Sequence, residues 1–445
     1  MKQLTQLLVA LTLVALLLSC NHSQDQNPED SVPNTAVEIP TDPSPDLTEN
    51  PEAEVGEPIV EPAEVADISI TIQFAGDVFM HQGPIDVART GEDTFDFKPF
   101  LTHIRPFITA DLAIANMEVP VDARGGNVDV AGWPHFNTPF EILKALQYAG
   151  FNHMITANNH AFDFGFEGIV NTVNSFARQE FAHTGMNTSL ADFNTPTILD
   201  INGIQVGIVA YTDSVNGLEA LVPEASRVYA VRRFNSQTLA DVEHMAQNIA
   251  DLREAGAELV ILALHWGEEY QNAPTQMQRL IAAELSEAGA DVIMGKHSHT
   301  VHPIEWHYRE DGSRALIIYS LGNFLADQTR LTDASVASQI NDSWGGHPFI
   351  GRTQFGMLVN LEITKTADGQ ISLGEASVLP TLCMRDFSGE TLGVVDGVSV
   401  MPLVNGELPE FVTDASLRQW GQVASEHIVE IVGAEWLVDF SEMME

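Results

Sequence analysis

Six times between Ile68 and Phe324 a short apolar run ends in a cluster of Asp, Glu, Asn or His, and this recurrence constrains the fold more than any other feature of the chain. The runs are Ile68–Phe74, Leu112–Ala115, Met154–Ala157, Leu259–Leu264, Val292–Met294 and Ala315–Tyr319. The first alternates strictly, as a half-buried strand should. Val206–Tyr211 and Phe355–Leu361 read as further strands. Between several of them, 3.6-residue spacing predicts helices over Phe140–Ala149, Gly168–Arg178, Ser236–Ala255 and Met277–Ala288. Strands alternating with helices imply an α/β fold with a covered sheet. A last stretch, Asp414–Val432, carries Leu417, Trp420, Ala424, Ile428 and Ile431 on one stripe, which predicts an amphipathic helix packed on the main domain.

The polar clusters stand just past the strands, where open α/β sheets place their ligand sites. They are Gly76-Asp77, Asn116-Met117-Glu118, Asn158-Asn159-His160 with Asp163, His265-Trp266-Gly267-Glu268, Gly295-Lys296-His297-Ser298-His299 and Ser320-Leu321-Gly322-Asn323. Each has an ordinary reading by itself. An Asp after a strand is commonly a turn or helix-cap residue, and His-x-His arises by chance in a chain with 15 His. Together they point to one site. A glycine at 76 is expected to permit a tight turn that aims Asp77 outward. Carboxylate, imidazole and amide oxygen suit Mn²⁺, Fe²⁺ or Zn²⁺. Without ligand cysteines a structural zinc knuckle is not expected. Two such ions, about 3.5–4 Å apart, need a carboxylate or water between them and an open face for substrate.

The order of these motifs resembles the calcineurin-like metallophosphoesterases, and more closely the CapA family linked to poly-γ-glutamate capsule synthesis. The resemblance covers roughly Ile68 to Thr364 in one colinear order. It implies a calcineurin-like metallophosphoesterase fold, a β-sandwich flanked by helices in four αββα layers. It also implies two divalent metal ions, with Asp77 and His299 on one, Asn159, His265 and His297 on the other, and Glu118 bridging. His160 becomes a general acid or electrostatic clamp, with Asp163 orienting its ring. Asn116 and Asn323 would support the ligands from behind. Trp133, His135 and Trp266 are candidates for the cleft wall or for core packing, and His153 and His183 are read as structural. The hydrolase pattern places a His two residues after the first Asp, and here that residue is Phe79. The next imidazole, His81, completes the first ion's ligands only if its ring turns inward.

The N-terminus sets location. Lys2 precedes an apolar run from Leu7 to Leu18, too short to span a bilayer comfortably but suited to a signal peptide. It ends in Leu17-Leu18-Ser19-Cys20, which resembles a bacterial lipobox with Cys20 as the lipidated residue. From Asn21 to Asp67 there are 13 acidic residues, 8 prolines and no Lys or Arg. Such a stretch buries too little apolar surface to offset its chain entropy. Extended, it reaches roughly 100 Å or more. The expected organisation is therefore a signal peptide over 1–20, a disordered tether over 21–67, a catalytic domain over 68–379 and a C-terminal extension over 380–445. The product is an exported protein, lipid-anchored and facing outward.

A net charge of −42 repels nucleic acid, which is bound mainly through Lys and Arg, so no nucleic-acid partner is expected. The partners implied are an anionic polymer or phosphoester substrate, the membrane, and other capsule-synthesis membrane proteins. Two functions stay open beside a metal-dependent hydrolase: a non-hydrolytic anchored component of polymer synthesis or export, and a polymer-binding module with a degenerate metal site.

Overall fold

A computed structural model describes residues 66–122, 130–328, 350–386 and 397–437. The expected signal segment, Cys20 and the tether as far as residue 65 lie outside the described residues. In chain order the principal strands are β1 (Ile68–Val78), β2 (Leu112–Met117), β3 (His153–Ile155), β4 (Ala182–Thr184), β5 (Thr197–Ile201), β6 (Ile204–Thr212) and β7 (Leu259–His265). They continue with β8 (Val292–Lys296), β9 (Ile304–Tyr308), β10 (Arg314–Ile318), β11 (Asn323–Leu325), β12 (Phe355–Lys365), β13 (Ile371–Asp386) and β14 (Gly397–Pro402). The principal helices are α1 (Glu141–Ala149), α2 (Gly165–Gln179), α3 (Val242–Glu254), α4 (Gln276–Glu287) and α5 (Ala415–Val432). Among the described residues no helix is long and apolar enough to cross a membrane.

The strands form two facing sheets. The first has the order β14-β13-β12-β1-β2-β3-β4, with β11 also paired to β1, and the second runs β9-β10-β8-β7-β6-β5. Ile70, Ile72 and Phe74 of β1 meet Ile208, Ile261 and Met294 of the second sheet in one core between the layers. Outside the first sheet, Ala113 and Ala115 of β2 pack against Ile142, Leu143 and Leu146 of α1. Outside the second, Val260 and Leu262 of β7 pack against Ile249 of α3 and Ile281 of α4. This is the four-layer αββα arrangement that the calcineurin-like resemblance implies. Because helices cover the outer faces, β7 and β8 are buried on both sides along their whole length.

Local chemistry explains most boundaries. α1 stops at Gly150, whose φ of 117° allows its N–H to reach back to Leu146. α4 starts on a capping box: Gln278 N–H donates to Thr275 Oγ1 at 3.1 Å, and Thr275 N–H to Gln278 Oε1 at 2.9 Å. The helix expected from Ser236 begins only at Val242. Ser236 Oγ instead donates to Asp213 at 2.7 Å, and Asp241 accepts from the Asn235 N–H at 2.7 Å, so polar side chains hold the preceding turn. β1 differs from the half-buried strand expected, since it is buried on both faces from Ile72 onward. Gln73 tolerates this because its Nε2 donates to Phe107 O at 2.7 Å and to Asn360 Oδ1 at 2.6 Å.

The division expected between 379 and 380 falls inside β13, and β14 adds one more strand to the same sheet. The chain after residue 379 thus continues the sandwich. α5 presents the expected stripe: Trp420, Ala424 and Ile428 are buried, with the Trp420 and Phe355 rings 5.2 Å apart.

Candidate metal centre

Both sheets deliver side chains to the same place. Between Phe74 and Asp77, β1 has one more residue than the facing stretch Ile114–Asn116 of β2, a bulge that re-aims the end of the strand. Gly76 lies within the strand, so the expected tight turn is absent. Its role is close approach: a Cβ there would stand 1.9 Å from the Gly322 carbonyl oxygen, which accepts the Asp77 N–H at 3.0 Å. Glu118 follows β2 directly, and its N–H donates to Val78 O at 3.0 Å. Asn159 rides on the loop after β3, which Asn158 Nδ2 ties to Met117 O and Lys296 Nζ ties through Ala157 O, both at 2.8 Å. His265 closes β7, and His297 and His299 follow β8. The first sheet thus supplies the carboxylates and amides, and the second the imidazoles.

The donors converge. His265 Nε2 is 3.4 Å and His299 Nε2 3.7 Å from Glu118 Oε1, while His265 Nε2 is 3.0 Å from Asn159 Oδ1. The His265 and His297 rings are 4.6 Å apart. Among the described residues, Glu118, His297 and His299 form one group with ligand atoms within 4.8 Å of one another, and Asp77, Glu118 and His265 a second. Glu118 belongs to both. His81 belongs to neither: its ring packs against Phe79 and Phe136, each at 5.0 Å, and the Phe79 ring is itself 5.0 Å from His299. Phe79 therefore takes up space beside the ligands where the hydrolase pattern has a donor.

The residues fit divalent ions. Glu118 Oε1 and His297 Nδ1 are buried with no hydrogen-bond partner among the described residues, which is costly unless something else binds there. The supporting partners are in place. Asn116 Nδ2 donates to Asp77 Oδ1 at 2.7 Å and to Glu118 Oε2 at 3.4 Å, spanning the two acids. His299 Nδ1 sits 3.0 Å from Asn323 Oδ1, leaving Nε2 toward Glu118. His297 and His299 adopt φ of 98° and 57°, a left-handed backbone that costs of order 1–3 kcal/mol each in non-glycine residues.

Electrostatics without ions shows what the site must balance. Burial pushes the Glu118 carboxyl well above its usual range, and the Asp77 charge adds to this. Burial works against the charged form of Asp77 too, but the hydrogen bond and charge of His299, with Asn116, bring its pKa below the usual value. His299 is raised in turn, since Asp77 outweighs burial. Burial pushes His265 well down, and His297 down to about 3. Neutral imidazoles are the form that ligates a cation.

His160 stands apart from the ligand groups. Its Nδ1 is 2.8 Å from Asp163 Oδ2, and the same oxygen accepts the Phe136 N–H at 2.8 Å. The ring meets Phe136 edge-on at 4.8 Å and lines a cavity of about 520 Å³ that opens in front of His299. Trp133 lines the same cavity, and His135 is not among its lining residues. Trp266 is core, stacked 6.2 Å from Tyr319 with its Nε1 donating to Tyr319 O at 3.2 Å. His153 is structural as expected, its Nε2 being 3.0 Å from Thr184 Oγ1, and His183 Nδ1 lies 3.4 Å from Thr156 Oγ1.

Sequence reasoning gave no role to Lys296. It is fully buried, and burial brings its ammonium down to about 7 although Asp77, Glu118 and Asp213 oppose the shift. Its position between Gly295 and His297 was the available signal. Asp213 was missed as well: it accepts from Ser236 Oγ at 2.7 Å and from the Gly267 N–H at 3.1 Å, fixing the turn after His265.

Comparison with known proteins agrees with the motif order. Residues 71–328, more than half of the chain, match the family described as "Bacterial capsule synthesis protein PGA_cap". The chain is 31% identical over 277 residues to the PGA biosynthesis protein CapA of Bacillus subtilis (strain 168), covering 61% of this chain and 67% of that protein. It is 28% identical over 273 residues to the capsule biosynthesis protein CapA of Bacillus anthracis, covering 60% of this chain and 62% of that one. Among solved structures, the NAD nucleotidase of Haemophilus influenzae aligns over 80% of this chain and 62% of its own, with 12% identity and a TM-score of 0.40, too low to carry an argument. With the motifs, their spatial convergence and this match in hand, the chain belongs to the PGA_cap family of bacterial capsule synthesis proteins.

Proposed function

We propose that this protein is a metal-dependent hydrolase of capsule-polymer metabolism, cleaving a phosphoester or the γ-glutamyl amide of poly-γ-glutamate. The observation that carries this reading is the convergence of Asp77, Glu118, His265, His297 and His299 from two sheets onto one buried centre. Asp77 and His299 would hold one ion, Asn159, His265 and His297 the other, and Glu118 would bridge them. Bound ions supply Lewis acidity and a water of lowered pKa. The chain supplies the rest. Asn116 and Asn323 fix the ligands, and Asp163 fixes His160 through Nδ1. The remaining ring nitrogen of His160 is then the atom that protonates a leaving group or steadies an oxyanion. Purified protein should carry one to two equivalents of Mn, Fe or Zn and turn over a phosphoester or γ-glutamyl substrate. Absence of turnover with all three ions supplied removes the hydrolase reading.

Phe79 favours a second reading, in which one ion seat is weak and the protein is a non-hydrolytic component of polymer synthesis or export, working with other capsule-synthesis membrane proteins. In both readings the location is the outer face of a bacterial membrane, through lipidated Cys20. Cys20→Ser should release the protein into the soluble fraction, and retention of that variant on salt-washed membranes removes the anchor.

A further inference from the structure

The cavity in front of the metal centre has a wall that is aromatic and acidic. His299 and His160 mark its inner end. Its walls are aromatic, with Phe79, Phe136, Tyr270 and Trp133, and Trp133 is 76% exposed. The charged side chains among its described lining residues, imidazoles aside, are two carboxylates, Glu269 and Asp327, with no Lys or Arg. Glu269 is close enough to Glu118 and His299 for its charge to act on both. The wall is also braced to the metal centre. Gln328 Nε2 donates to Tyr270 Oη at 3.3 Å, Asn323 Nδ2 donates to Gln328 Oε1 at 3.0 Å, and the other end of that amide holds His299.

An ammonium group is favoured along this wall: aromatic faces attract a cation through the ring quadrupole, and neighbouring carboxylates add Coulomb attraction. We propose that the cavity is a subsite for the free amino end of a peptide-like chain, held between Trp133, Tyr270, Glu269 and Asp327. The inference rests on the hydrolase reading above and names its substrate: an amine-terminated γ-glutamyl chain, attacked at the amide next to that end. Hydrolysis there breaks the C–N bond after the first residue. The carbonyl carbon gains the hydroxyl of water, and the nitrogen leaves with water's proton. The protein thus works inward from the amino terminus of the polymer, and a capped terminus resists it.

The test uses full-length, Mn²⁺-loaded protein and titration calorimetry with two probes, a γ-linked glutamate trimer with a free amine and the same trimer N-acetylated. Acetylation should weaken binding about 10-fold, the range expected for a partly desolvated cation–π contact. Glu269→Gln and Trp133→Ala should each weaken the free-amine trimer about 3- to 10-fold, with metal content and affinity for the acetylated trimer unchanged. Glu269 and Trp133 are exposed, so neither variant threatens the fold. Equal affinity for the two trimers, or no binding of either, overturns the subsite. So does loss of metal in Glu269→Gln. Discrimination between the trimers without turnover removes the hydrolase reading and leaves the subsite standing, while turnover without discrimination does the reverse.

Discussion

The two sheets bring unlike chemistry to the same centre by unlike means. On the first, Asp77 and Glu118 stand at the ends of paired strands, their N–H groups bonded to Gly322 O and Val78 O and their carboxylates spanned by Asn116. On the second, His297 and His299 stand on a left-handed turn just past β8. Regular pairing holds the carboxylates, and a strained turn holds the nitrogen donors. Neither set closes a site alone, since each of the two ligand groups draws on both sheets. The centre is therefore a product of the packing between the layers.

The largest expected effect lies where the two halves meet. Glu118→Gln removes the carboxylate common to both ligand groups, and metal affinity, read by equilibrium dialysis with elemental analysis, should fall by more than the about 10- to 100-fold typical of supporting residues. His297→Ala, which touches one group, should lose less. Equal losses would break the asymmetry between the sheets.

Next comes a residue that belongs to neither half. His160→Ala should retain its ions and lose about 10²- to 10⁴-fold in turnover, with Asp163→Asn losing less because it acts only through the ring. Loss of metal in His160→Ala would instead place His160 among the ligands and redraw the comparison.

The smallest effect tests the edge of the first sheet. Burial, with a smaller contribution from the charge of His183, brings His153 down to about 3 from a free value of 6.5. The folded pKa lies below the unfolded one, so the unfolded chain takes up the proton first. The stability is complete above about pH 6.5 and is lost as pH falls toward 3, amounting to about 2 kcal/mol by pH 5. A His153→Gln variant should show a shallower fall of melting temperature between pH 6.5 and 5. An identical fall would mean that His153 does not set it.

How much of this was readable in advance follows from what a local pattern contains. Asp77, Glu118, His265 and His297 stood out because each interrupts an apolar run at its end. The α5 stripe stood out because 3.6-residue spacing records which face is covered. Gly76 did not, since its reason is the approach of Gly322, almost 250 residues away in sequence. Lys296 did not, because a five-residue strand buried on both faces leaves no alternation to expose a lysine as interior. The division after residue 379 failed because β13 crosses it, joining β12 on one side and β14 on the other, and strand pairing of that kind has no local signature.

The buried amine of Lys296 bears on how the centre holds together when it is empty. Two acids in a closed interior repel each other. Asp77 and Glu118 support the charged form of Lys296 against burial, and that charge in turn offsets part of their repulsion from within the chain. A share of the countercharge that ions would bring is thus written into the sequence, and the unloaded interior leans on one lysine.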